Sequence, residues 1–141
     1  MTLVETPPNP YAGKKSRQSP EMKLQAACVI AAWNDFPATR KLLFHVENEL
    51  NRSDSNPILG AIRKSEGIVA GVSDLILLIP RGKWHGLMIE LKRPDGKNGQ
   101  SRAQKEWQVL VEAQGYRYEV IYNEQDFRAL LAEYLALPPN I

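Results

Sequence analysis

Asp74, Glu90 and Lys92 are the residues of this chain whose types and spacing point to chemistry. In "HGLMIELKRP", residues 85–94, Leu87, Ile89 and Leu91 alternate with Met88, Glu90 and Lys92, which is the period of a half-buried strand. Successive side chains on a strand point to opposite faces, so Glu90 and Lys92 share one face. Asp74, separated from Glu90 by fifteen residues, opens the continuous apolar run Leu75–Ile79, and such a run predicts a strand covered on both faces. If the two strands form an antiparallel hairpin centred on Gly82, residues whose numbers sum to 164 face each other, and Asp74 faces Glu90. Directly opposed residues point to the same side of a sheet. Asp74, Glu90 and Lys92 then converge on one patch, provided that no bulge shifts the register.

Two carboxylates this close repel, and one of them has its pKa raised unless a cation intervenes. A hard divalent ion such as Mg²⁺ prefers oxygen ligands and keeps several waters, so two carboxylates and a backbone carbonyl suit it. The carbonyl of Leu91, between Glu90 and Lys92, lies within reach. Lys92 would orient or deprotonate a water attacking phosphorus, or steady charge in the transition state. The same three residues also read as a cross-strand salt bridge, contributing about a few tenths of a kcal/mol.

The elements that must position this patch can be read along the chain. Residues 1–19 carry Pro7, Pro8, Pro10, Lys14, Lys15 and Arg17 without apolar periodicity, the pattern of a flexible N-terminal arm. Ser19 then stands as an N-cap with Pro20 at the first helical position, and Met22, Ala26, Val29 and Trp33 recur at helical spacing up to Pro37. A strand is expected around 42–47, a polar loop over 48–56, and a short helix from Pro57 to before Gly67. After the two strands around Gly82, "DGKNG" reads as a turn. Ser101 with Gln104 three residues later opens a capping-box helix that ends at Gly115. "YRYEVIY" is a strand, and Phe127, Leu130, Leu131, Tyr134 and Leu135 line one side of a last helix. The order α-β-α-β-β-α-β-α describes an α/β domain over 20–137, a small mixed β-sheet flanked by helices.

Composition narrows the function. The chain has 141 residues, 43% hydrophobic and 24% charged, with a net charge of +2, so a nucleic-acid role must rest on local patches. Cys28 is the only cysteine, which rules out an intramolecular disulfide and fits a reducing compartment. One Cys with His45 and His85 does not make a usual structural zinc site. No apolar run approaches the roughly 20 residues of a membrane span. The N-terminus lacks the apolar core of a signal peptide, so a cytoplasmic protein is expected.

Asp-x(15)-Glu-x-Lys, preceded by Gly71 and followed by a helix bearing Gln104, resembles the PD-(D/E)XK nuclease superfamily, and within it the VRR-NUC (virus-type replication-repair nuclease) family. The supporting stretches are "EMKLQ", "FHVENE", "GIVAGVSDLILL", "HGLMIELK" and "SRAQKEWQVLVEAQGY", and the likeness runs from about Glu21 to Leu135. It implies a restriction-endonuclease-like core and a metal site of Asp74, Glu90 and the Leu91 carbonyl, with Glu21 reaching the metal directly or through water. It also implies Lys92 as the catalytic lysine and Gln104 as a glutamine beside the site. Gln25 lies one turn beyond Glu21 on the same helical stripe, so both can face the sheet edge, and Gln25 is a further expected DNA contact. His45, Asn48 and Glu49 are similar to the family's H-x-x-N-E stretch, with Asn48 and Glu49 at the substrate groove. The family's usual proline before the aspartate is Ser73 here. That proline does no chemistry, so its absence bears on geometry alone.

The resemblance implies a Mg²⁺-dependent DNA endonuclease, with Mn²⁺ able to substitute, that leaves a 5′-phosphate and a 3′-hydroxyl. Small single-domain members look like dimeric resolvases of branched DNA, Holliday junctions in particular, in a bacterial or phage replication-repair setting. Two sites related by a two-fold axis suit two symmetric strands. Arg93, Lys97 and Arg102, in a turn rich in Gly and Asn, are the expected phosphate contacts, with Arg40, Arg63 and Lys64 as further candidates. Contacts of this kind read phosphate and shape. Flap, nick or single-strand cleavage is the alternative on the same chemistry, and a DNA-binding subunit without turnover is the alternative from another class.

Overall fold

The computed structural model describes residues 19–47, 57–97 and 99–140. The proposed N-terminal arm before Ser19, and Asn48 and Glu49, lie outside the described residues. Helix α1 spans Pro20–Asp35, its start set by Ser19, whose hydroxyl accepts from the Met22 N–H at 3.3 Å, and by Pro20 in the first turn. A short 3₁₀ turn, Pro37–Thr39, leads into β1, Leu43–His45. Helix α2 spans Pro57–Ser65, then come β2 (Leu75–Leu77), β3 (Leu87–Leu91), α3 (Arg102–Ala113), β4 (Arg117–Ile121) and α4 (Glu124–Leu135).

The four strands form one mixed sheet in the order β1-β2-β3-β4. β1–β2 and β2–β3 are antiparallel, and β3–β4 is parallel, the parallel pair being joined through α3 as a crossover requires. The β2–β3 register pairs Leu75 with Ile89, Ile76 with Met88 and Leu77 with Leu87. These pairs have the expected sum, so the register places Asp74 and Glu90 one step beyond the last rung.

One face of the sheet carries the core. Leu75, Leu77, Leu87, Ile89, Leu91 and Ile121 pack with Leu24, Cys28 and Ala32 of α1 and with Phe127, Leu130, Leu131 and Tyr134 of α4. Each of the Leu, Ile and Phe side chains, taken fully out of water, stabilises the fold by about 1.5–3 kcal/mol. Tyr134 buries its ring here and donates its hydroxyl to the Ile79 carbonyl at 2.6 Å.

The opposite face carries α3, and this changes two expectations. β3 is buried at all five positions, Met88 and Glu90 included, where the alternation predicts a half-buried strand. An alternating pattern reports that one face is polar; whether a helix lies over that face is decided elsewhere in the chain. β2, conversely, is not covered on both faces: it ends at Leu77, Ile76 is half-buried and Leu78 is 53% exposed. Helix α3 lies over the β3–β4 half, with Trp107 edge-on to Tyr118 of β4, and leaves Leu78 and its neighbour Phe44 open. Trp84, beside the turn, is half-buried against the core. Its backbone bridges to Arg81, closing a tight turn through Gly82 and Lys83.

Candidate active site

The site forms where β2 begins, β3 ends and α3 starts. Gly71 sets the approach. Its φ is +85°, and a Cβ there would lie 2.3 Å from the Ala103 carbonyl oxygen and 2.8 Å from the Gln104 nitrogen. Only glycine tolerates both the left-handed conformation and the close approach, so the first turn of α3 lies directly on the segment leading to Asp74. Ser73, where the family's proline is usual, is fully buried and donates its hydroxyl to the Leu75 carbonyl at 3.2 Å. A hydrogen bond thus steadies the entry to β2.

Asp74 stands just before the β2 ladder. Its Oδ2 accepts from the Leu91 N–H at 2.7 Å, which fixes the carboxylate against the end of β3. Along a strand the N–H and C=O of one residue point to the same side, so the Leu91 carbonyl also faces Asp74. Glu90 is 2% exposed and Lys92 is 7% exposed. Lys92 Nζ lies 3.6 Å from Glu90 Oε1. Gln104 spans them, accepting from Lys92 Nζ at 2.9 Å through Oε1 and donating through Nε2 to Glu90 Oε1 at 2.8 Å. The same Gln104 closes the capping box, because its Oε1 also accepts from the Ser101 N–H at 2.8 Å.

The electrostatics follow from one ammonium beside two carboxyl groups. Burial, and then the charge of Asp74, push the Glu90 carboxyl up to about 8, against the opposing pull of Lys92. Burial also raises Asp74, partly offset by the Leu91 N–H. Each carboxyl group shifts the other, the Asp74 charge adding to the rise at Glu90. With both carboxyl groups ionised, one ammonium leaves a negative charge uncompensated in a buried place, and that is costly. Glu90 Oε2 is buried, and among the described residues no donor reaches it. Two carboxylates, one of them with an orphaned oxygen, and a strand-end carbonyl form an all-oxygen donor set that fits a hard divalent cation.

The remaining expected residues are placed less centrally. Glu21 and Gln25 are half-buried on α1. Among the described residues no cluster of three or more His, Cys, Asp or Glu able to hold a metal occurs, so Glu21 is not brought to the Asp74–Glu90 pair as a third side-chain donor. Arg93 pairs with Asp95 at 2.8 Å, and Asp95 also accepts from the Lys97 N–H at 3.0 Å. Lys97 itself is exposed, and Arg102, almost wholly exposed, pairs with Glu106 at 3.0 Å. Arg40 lies over the Trp33 ring and donates to the Trp33 carbonyl at 2.9 Å, a packing role. Asn48 lies outside the described residues.

Sequence reasoning missed Gln100. Its amide donates to Gln108 Oε1 at 2.9 Å and to the Tyr118 hydroxyl at 3.2 Å, tying the end of the basic turn to α3 and β4. Nothing in the local pattern marks it, since its partners come from two other elements.

A family model for the VRR-NUC domain matches residues 13–125. A solved structure of a VRR_NUC domain protein superposes with a TM-score of 0.69 at 25% identity, covering 88% of this chain and 94% of that one. No curated protein matches the chain. With the fold, the register and these matches in agreement, the chain belongs to the VRR-NUC family and is a nuclease domain of the PD-(D/E)XK type.

Proposed function

We propose that the chain is a Mg²⁺-dependent endonuclease that hydrolyses phosphodiester bonds in branched DNA, acting as a homodimer on Holliday junctions. The observation that supports the metal-dependent chemistry is the buried, donorless Glu90 Oε2 beside the Asp74 carboxyl group. Asp74, Glu90 and the Leu91 carbonyl would hold the ion, with Glu21 contributing through water and Mn²⁺ substituting for Mg²⁺. When bound there, the cation neutralises the carboxylate pair and polarises a phosphate oxygen.

The chain's own residues do the rest. Lys92 Nζ, held by Gln104 and Glu90, orients the attacking water and offsets charge growing on the phosphoryl oxygens. Gln104 keeps the lysine from swinging out of the site. Arg93, Lys97 and Arg102, with Asn48 and Gln25, contact the DNA backbone, which recognises shape and charge before sequence. No helix among the described residues is long and apolar enough to cross a membrane, and a cytoplasmic setting is part of the proposal.

The test is cleavage of end-labelled four-way junction, flap, splayed-arm and linear DNA with Mg²⁺ or EDTA, comparing the wild type with Asp74→Ala. Paired, metal-dependent cuts in the junction that vanish in Asp74→Ala are expected. Cuts confined to another structure would keep the chemistry and overturn the junction reading. Tight junction binding without cleavage in Mg²⁺ or Mn²⁺ would overturn the enzyme.

A further inference from the structure

The start of β2 is held from the β1 side by a bond that the proposed chemistry does not use. β1 is three residues long and its ladder ends with His45 opposite Leu75. Asp74 lies one step further, outside the ladder. Its carbonyl accepts twice: from the Val46 N–H at 3.1 Å and from His45 Nδ1 at 2.7 Å. A carbonyl oxygen can only accept, so Nδ1 carries the proton and Nε2 faces away from this bond. His45 is exposed, so packing does not hold its ring; the bond to Asp74 does.

We propose that His45 is a positioning residue for the metal-binding carboxylate of Asp74, an inference that rests on the metal-dependent reading above. The backbone of Asp74 is pinned from β1 by His45 and Val46, and its side chain is pinned from β3 by the Leu91 N–H. With both ends fixed, the carboxylate keeps one direction relative to Glu90 and the Leu91 carbonyl. Without the imidazole, the Asp74 carbonyl keeps, among the described residues, only the Val46 bond, beside the end of a short edge strand. The cost falls on preorganisation of the donor set. Residues that orient ligands from outside the coordination sphere typically account for about 10- to 100-fold in metal affinity.

The test is Mn²⁺ affinity by calorimetry on full-length wild type, His45→Ala, His45→Asn and His45→Gln, with thermal melts to confirm folding. The Asn amide nitrogen occupies nearly the place of Nδ1, whereas the Gln amide sits one methylene further out. His45→Ala and His45→Gln are expected to weaken Mn²⁺ binding by about tenfold and to lower kcat, with KM for DNA little changed. His45→Asn is expected to stay close to the wild type. Wild-type Mn²⁺ affinity in His45→Ala, or an equal loss in His45→Asn, would overturn the proposal. If His45→Ala fails to fold, the Asn and Gln variants decide by the same comparison. A wild type that binds no Mn²⁺ overturns the metal reading and His45 with it. A wild type that binds Mn²⁺ yet cleaves no DNA overturns the nuclease assignment, and the affinity series still decides for His45.

Discussion

Gln104 and Glu90 are joined at 2.8 Å between Nε2 and Oε1, and the same glutamine caps the helix that carries it. One side chain therefore links helix stability to the geometry of the candidate site. The two roles separate by mutation. Gln104→Ala should lower the single-turnover cleavage rate by about 10- to 100-fold and also lower the melting temperature. Ser101→Ala removes the other half of the cap, with an expected loss of about 0.5–2 kcal/mol, and should leave the cleavage rate of the folded protein much closer to wild type. Equal rates for the two variants would place Gln104 in the helix cap alone.

Lys92 is the buried cation of the cluster. Lys92→Met keeps the length of the side chain and removes the charge. Single-turnover cleavage should fall by about 10³-fold, the scale of removing a transition-state contact. Junction binding in EDTA should persist, because binding rests on surface phosphate contacts. The protein should remain folded, since Glu90 can stay protonated when its partner is lost. A mobility-shift titration beside the rate measurement checks both halves.

The pH dependence of stability follows from Glu90. Its carboxyl is pushed from the ordinary 4.5 up to about 8, chiefly by burial, so between those values the folded state holds more protons than the unfolded chain. Stability then falls as pH rises. For the metal-free protein the contribution is fully present below about pH 4.5 and is lost as pH climbs through about 8. The upward shift of Asp74 has the same sign. Saturating Mg²⁺ should flatten this slope by taking the proton's place, and its uptake at pH 7 should release protons. Urea titrations at pH 5 and pH 8, with EDTA and with Mg²⁺, measure it. A Glu90→Gln variant should lose most of the slope.

Gly71 combines a φ of +85° with a contact that any Cβ would violate. Gly71→Ala should destabilise the fold by about 3 kcal/mol or more, from left-handed strain and displacement of the first turn of α3. Gly60 offers the control, being helical with open space where a Cβ would go. Gly60→Ala should be neutral or mildly stabilising. Thermal melts of the two variants test the contrast, and equal effects would remove Gly71 from the architecture of the site.

Much of this was legible before the structure. The alternation Leu87-Ile89-Leu91 against Met88-Glu90 identified a strand, and the supposed sum about Gly82 matches its register with β2. The turn itself, however, pairs Arg81 with Trp84, one step off that centre, so period and turn position alone do not fix the pairing. The cap at Ser101 and Gln104 and the start at Ser19 and Pro20 were legible because a cap is a contact within four residues. What the tertiary structure decided depends on distant segments meeting. α3 lies over β3–β4 and buries Glu90 on all sides, while leaving Leu78 and Phe44 open. Gly71 meets Ala103, Gln100 meets Tyr118, and His45 meets the Asp74 carbonyl. The sequence by itself determined which residues share a face. The packing of α3 and the pairing of β1 decided which faces are buried and which groups are held in place, because burial and long-range hydrogen bonds depend on the relative placement of elements that no local period encodes.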